Sequence, residues 1–195
     1  MSLTFHFDFA DPVSRVLDVW LRAEGVDVTH AAFEFAPPPG PGLDPSDRAW
    51  LERWEAAAAT SAELGGLQVL PPRPPRVPLV PWTRKAHELV CLADEHGLAC
   101  EARTALFVAF LDEGRDIGRV DVLVDVGVAL GLDFTETKAT LDVDRFAADI
   151  ERARAAAASR GVVRPATLTR KDERLEAPAP IGELRRFLGE AAREA

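Results

Sequence analysis

Cysteine is nearly absent: the 195 residues hold only Cys91 and Cys100, with no CxxC between them. The spacing reads as two separate reduced thiols in helical segments. A disulfide joining them requires backbones within about 7 Å. Histidine is also sparse. His6, His30, His87 and His96 are scattered, with no HExxH and no cysteine pair beside them, so no metal site is expected. Basic charge is in deficit, with 23 Lys and Arg against 32 Asp and Glu and a net charge of −9. This excludes sequence-independent nucleic-acid binding, which needs clustered cations to displace counterions. No apolar run approaches the roughly 18 residues of a membrane span, and no basic segment followed by an apolar one opens the chain. The expected partners therefore include neither nucleic acid nor membrane, and the expected location is cytoplasmic.

What is present is enough apolar material for a core, 47% of the residues. The chain is organised around residues 3–21, LTFHFDFADPVSRVLDVWL. Leu3, Phe5, Phe7 and Phe9 alternate with Thr4, His6 and Asp8, the period of a half-buried strand. Asp11 then fits a helix N-cap and Pro12 its first position, where a missing N–H costs nothing. Val13, Val16, Leu17 and Trp20 follow at helical spacing, and Gly25 ends the helix.

Residues 26–35, VDVTHAAFEF, read as a second strand, closed by the proline run 37–41. Asp44 and Pro45 repeat the Asp-Pro start, predicting a helix through Trp50, Trp54 and Ala58 to about Leu64. Capping alone can therefore explain Asp11 and Pro12. Residues 71–81, PPRPPRVPLVP, form an extended connector. Helices follow from Trp82, through Ala102, Leu106 and Phe110, and through Ile117, Val120, Leu123 and Val128, with stops at Gly114 and Gly131. Asp133 with Glu136 gives a capping-box start. A further helix starts at Asp142 or Asp144 and ends near Gly161. The end of the chain reads as strand 166–169, a charged turn, strand 174–176 and a helix from Pro180 or Ile181.

DFADPVS, residues 8–14, resembles the active-site turn of DsbA-like thioredoxin-fold proteins. The redox form there is DFxCPxC, and 2-hydroxychromene-2-carboxylate isomerases and kappa-class glutathione transferases carry DFxSPxS. Ala86 and His87, then residues 106–117, similar to a pattern of LFxAYFxEGRDI and matching it at Leu106, Phe107, Ala109, Phe110 and residues 113–117, followed by GLD at 131–133, resemble the FrnE-like branch. GVVRPATL, 161–168, is similar to the family's GVxGVPxFV, with Pro165 in the cis-proline place and Arg164 where Val or Thr is usual. The resemblance implies an α/β, thioredoxin-like fold with a large all-helical insertion. Residues 1–38 and 160–195 would form the thioredoxin-like domain and residues 39–159 the insertion.

The chemistry departs from that family. Asp11 and Ser14 stand where the exchanging cysteines would be, and neither an acid nor an alcohol exchanges with disulfides. A glutathione thiolate beside Asp11 would place two anions roughly 4 Å apart, at a cost of about 1–4 kcal/mol. The acidic-Arg pair that holds glutathione in similar isomerases is replaced here by residues 174–177, RLEA. No cofactor is therefore expected, and glutathione is disfavoured. Three functions stay open. The favoured one is a redox-inactive binder of a peptide or small molecule, in a groove made by Pro12, Val13, Arg164 and Pro165 between residues 11–14 and Pro165. The second is a non-redox isomerase or transferase with Asp11 as base and Ser14 as hydrogen-bond donor. The third is an interaction protein, such as a homodimer, acting through the helical insertion.

Overall fold

The computed structural model describes residues 3–40, 42–66 and 69–193, with side chains to residue 189. The end of the proline boundary, Pro41, lies outside the described residues. A four-stranded sheet of order β2-β1-β3-β4 is built from β1 (Thr4–Phe7), β2 (Thr29–Ala32), β3 (Thr167–Arg170) and β4 (Glu173–Glu176). β1 runs parallel to β2, with Phe5 opposite His30, and antiparallel to β3, with Phe5 opposite Leu168. β3 and β4 form an antiparallel hairpin.

Helix α1 (Pro12–Ala23) follows β1, capped by Asp11 with Pro12 at its first turn, and buries Val13, Val16, Leu17, Trp20 and Leu21. Between β2 and β3 come α2 (Arg48–Glu63), α3 (Arg84–Glu95), α4 (Ala99–Phe107), α5 (Val120–Ala129), α6 (Phe134–Asp142) and α7 (Ala147–Ser159), and α8 (Ile181–Arg193) closes the chain. One apolar cluster joins Phe5, Phe7, Phe9 and Leu17 to Trp50, Leu89, Leu106 and Phe110, so sheet and helical segment share a core.

Four local expectations are corrected. β1 is not half-buried. His6, on the face opposite the phenylalanines, is 5% exposed, because a second layer with Phe33, Ala157 and Val162 covers that side. Helix α2 starts three residues late. Asp44 holds a turn through the Ser46 amide, while Asp47 caps the helix by accepting from Ala49 and Trp50. Helix α4 passes into a single π turn, Val108–Asp112, where one extra residue is accommodated before Gly114 at φ 66. Helix α7 starts at Ala147 rather than at Asp142 or Asp144, since Asp144 takes a left-handed φ of 54. By contrast, Asp133 caps α6 by accepting from the Glu136 amide, as its spacing predicts.

Candidate functional site

Asp11 sits at the N-terminus of α1 and is fully buried. A carboxylate there must be compensated, and the compensation comes from α2. Arg53 binds it side-on, Nε donating to Oδ1 at 2.7 Å and Nη2 to Oδ2 at 2.8 Å. The Ser14 amide at 2.9 Å and the Ser14 hydroxyl at 2.7 Å also donate to Oδ2. Both Asp11 oxygens are therefore engaged. The Ser14 hydroxyl has given its only proton to Asp11 and accepts the Asp8 amide at 3.2 Å. The Ser14 proton is therefore not free for a thiolate, and Asp11, fully buried and paired with Arg53, is shielded from a substrate.

Arg53 is itself 6% exposed. Its Nη1 donates to the Ala177 carbonyl at 2.6 Å and its Nη2 to the Pro165 carbonyl at 3.2 Å. One guanidinium thus ties the start of α1 to the segment before β3 and the segment after β4. Beside it the Trp50 indole N–H donates to the Ala10 carbonyl at 2.8 Å. The groove expected between residues 11–14 and Pro165 is filled by these two α2 side chains. Pro12 and Val13 are buried against the core, and Pro165 is buried beneath Arg53.

The Arg164–Pro165 bond is not cis, which corrects the expectation drawn from the resemblance. Among the described residues the cis bonds fall at Pro38–Pro39 and Ala177–Pro178. The turn is held instead by Ala166 at φ 60 and by the Thr167 hydroxyl donating to the Arg164 carbonyl at 2.9 Å. The Ala166 carbonyl accepts the Ala177 amide at 2.8 Å. The carbonyls of three successive residues, 164–166, are thus all used within the protein.

Outside this clamp lies a cavity of about 520 Å³, walled by Phe33, Phe35, Arg53, Arg154, Arg164 and Pro165. Arg164 is half exposed and pairs with Glu176 at 2.8 Å. Arg154 lies over the Phe33 ring, 5.4 Å from its centroid, and its buried Nε has no hydrogen-bond partner. Glu34, at the same wall, is engaged by Arg84 through two hydrogen bonds.

The profile of the DSBA-like thioredoxin domain matches residues 4–163. The chain belongs to the DsbA-like thioredoxin family. The Bacillus subtilis protein YwbO is 31% identical over 133 residues, 68% of this chain and 64% of YwbO, so the match spans under two thirds of that relative. A probable DsbA oxidoreductase from Streptomyces coelicolor superposes with a TM-score of 0.76 at 20% identity, over 100% of this chain and 91% of that one. A 2-hydroxychromene-2-carboxylate isomerase superposes with a TM-score of 0.74 at 19% identity, over 100% and 97% respectively. At these identities the two structures speak for the fold. Within that family this chain carries no cysteine pair at the turn.

Asp8 and His87 also meet. His87 Nε2 lies 3.3 Å from Asp8 Oδ1, and the Phe35 amide donates to Asp8 Oδ2 at 2.7 Å. Both side chains are buried, so the pair fastens β1 to α3 and to the end of β2. Asp8 thus serves a residue 27 positions away. No group of three or more His, Cys, Asp or Glu among the described residues could hold a metal. No described helix is long and apolar enough to cross a membrane.

Sequence reasoning missed Arg53, the residue that decides the site. Its signal was a lone cation between Trp50, Trp54 and Ala57, on the stripe of α2 that faces the core. A buried acid at an N-cap calls for such a partner.

Proposed function

We propose that this DsbA-like protein performs no thiol–disulfide exchange at its family's active-site turn and binds a small molecule in the cavity beside Arg53, Arg164 and Pro165. The observation that carries this reading is the burial and internal pairing of Asp11 and Ser14. With both carboxylate oxygens and the hydroxyl proton committed, the turn is a structural clamp. The enzyme alternative, with Asp11 as base, needs a carboxylate that a substrate can reach, and Asp11 is fully buried behind Arg53. An extended peptide is disfavoured, because the carbonyls of residues 164–166 are already bonded internally. A volume of about 520 Å³ falls in the range of small-ligand sites. The unpartnered Arg154 Nε and the exposed Arg164 favour an anionic group on that ligand. Ser14, its proton already given to Asp11, offers no hydroxyl donor to a glutathione sulfur.

Two measurements test the proposal. Insulin disulfide reduction in dithiothreitol or glutathione should stay at the uncatalysed rate. A thermal-shift screen of small aromatic and aliphatic carboxylates should give saturable stabilisation, since a ligand of the native state raises its stability by mass action. That stabilisation should be lost in Arg154→Met and in Arg164→Met. Thiol-dependent turnover that Asp11→Asn abolishes would overturn the reading, and so would carboxylate stabilisation indifferent to both arginines.

A further inference from the structure

On the other flank of the molecule, between the β2 edge and the α3–α4 hairpin, lies a second cavity of about 580 Å³. Its walls include Phe7, Val28, Val90, Cys100, Arg22 and Arg103. Behind it stands Asp18, 1% exposed. Arg22 Nη2 lies 2.8 Å from Asp18 Oδ2, Arg103 Nε 3.4 Å from Oδ1, and His30 Nε2 3.0 Å from Oδ1. Two guanidinium groups thus share a single buried carboxylate. Arg22 is fully occupied, its Nη1 donating to the Thr104 hydroxyl at 2.9 Å and meeting Cys100 Sγ at 3.5 Å. Arg103 is not. It is 92% buried, lines the cavity and uses its Nε on Asp18, and its two amino groups have no described partner. The other acids at this cavity, Asp27 and Asp94, are exposed. His87 faces it with Asp8 as partner.

We propose that this cavity is a second ligand site, taking a small monocarboxylate with an apolar body. The carboxylate sits on the Arg103 amino groups, and the body lies against Phe7, Val28 and Val90. The free planar edge of one guanidinium matches a single carboxylate in two parallel hydrogen bonds. Cys100 lies three residues before Arg103 on α4, on the same helix face, so its thiol stands beside the seated carboxylate. Cys91, also at the wall, has its thiol pushed up to about 11, by burial first and by neighbouring acids second. It stays protonated and silent at neutral pH.

Cys100 supplies the test on the natural protein. Iodoacetate is itself a small monocarboxylate that alkylates thiols: sulfur forms the S–C bond, iodide leaves with the C–I pair, and the thiol proton passes to solvent. Iodoacetamide is its neutral counterpart, and an ordinary free thiol reacts faster with the amide. Here Cys100 should be alkylated faster by iodoacetate, by about tenfold relative to that ordinary order, the size of one charge-assisted hydrogen bond. Peptide mapping by mass spectrometry reads the ratio. Arg103→Gln should restore the ordinary order, and Arg154→Met, at the other cavity, should leave the preference intact. In the natural protein, benzoate should slow iodoacetate at Cys100 and benzamide should not, which tests the site without any variant. Preference for iodoacetamide in the natural protein, or equal protection by benzoate and benzamide, would overturn the proposal.

Discussion

Removing Arg53 tests the central structural claim most directly. Arg53→Met preserves the aliphatic stem but deletes both hydrogen bonds to a fully buried carboxylate and the donors to the Pro165 and Ala177 carbonyls. Breaking one side of a buried ion pair costs about 3–5 kcal/mol, because the remaining charge is left unpaired away from water. For a chain of this length that corresponds to a fall in Tm of roughly 6–20 °C. Asp11→Ser alone removes the acid but keeps an N-cap, leaving the guanidinium unpaired. The double variant, Asp11→Ser with Arg53→Met, has no charge to strand. Its loss should fall short of the two single losses combined by about 2 kcal/mol or more. Urea unfolding of the four proteins, followed by circular dichroism, completes the cycle. Strict additivity, or a loss below about 1 kcal/mol for Arg53→Met, would refute the clamp.

Three further outcomes are expected. Asp11→Cys with Ser14→Cys rebuilds the family's CPxC pattern, yet both positions are fully buried behind Arg53 and Trp50; the new thiols should react with Ellman's reagent only after unfolding, and rapid labelling of the folded protein would show an accessible turn. Burial, with the Arg160 charge as a smaller cause, depresses His6 to about 4. The unfolded chain therefore takes up a proton below about 6.5 that the folded protein refuses, and stability should decline by roughly 3 kcal/mol as pH drops from 6.5 to 4. His6→Gln should remove that part of the pH dependence, and an unchanged profile would show that His6 titrates freely. The Glu88 carboxyl is raised by burial, against the lowering effects of the Phe146 amide and Lys85. A raised carboxyl loses its contribution as pH climbs through its folded pKa. Glu88→Gln retains an acceptor for the Phe146 amide and should leave stability at pH 7 equal or higher, whereas a drop of several degrees in Tm would mean that the ionised form is the stabilising one.

Much of the architecture was legible because local rules and tertiary packing agree. The alternation around Phe5 and Phe7, the capping pattern of Asp11 with Pro12, and the Asp133 cap each involve residues a few positions apart, where sequence spacing is spatial spacing. The start of α2 was misplaced because Asp44 and Asp47 are both competent caps, and local chemistry alone does not rank them. The alternation puts His6 on the face opposite the phenylalanines, which the half-buried pattern leaves uncovered. Its burial depended on where α7 would dock, more than a hundred residues along the chain.

The sequence by itself determined that no disulfide chemistry runs at the DsbA-like turn, since that follows from which atoms Asp11 and Ser14 contain. It also determined the thioredoxin-like family, carried by strings spread over most of the chain. Only the tertiary structure decided what replaced the chemistry. Arg53 lies 42 residues from Asp11, and nothing in the spacing says that α2 will lay that side chain across the start of α1. Likewise Asp18, Arg22, His30 and Arg103 come from three elements, and their shared charge exists only once those elements pack. Periodicity records which face a residue occupies. Which residue it meets across that face is set by how whole elements dock, and the site of this protein is made of such meetings.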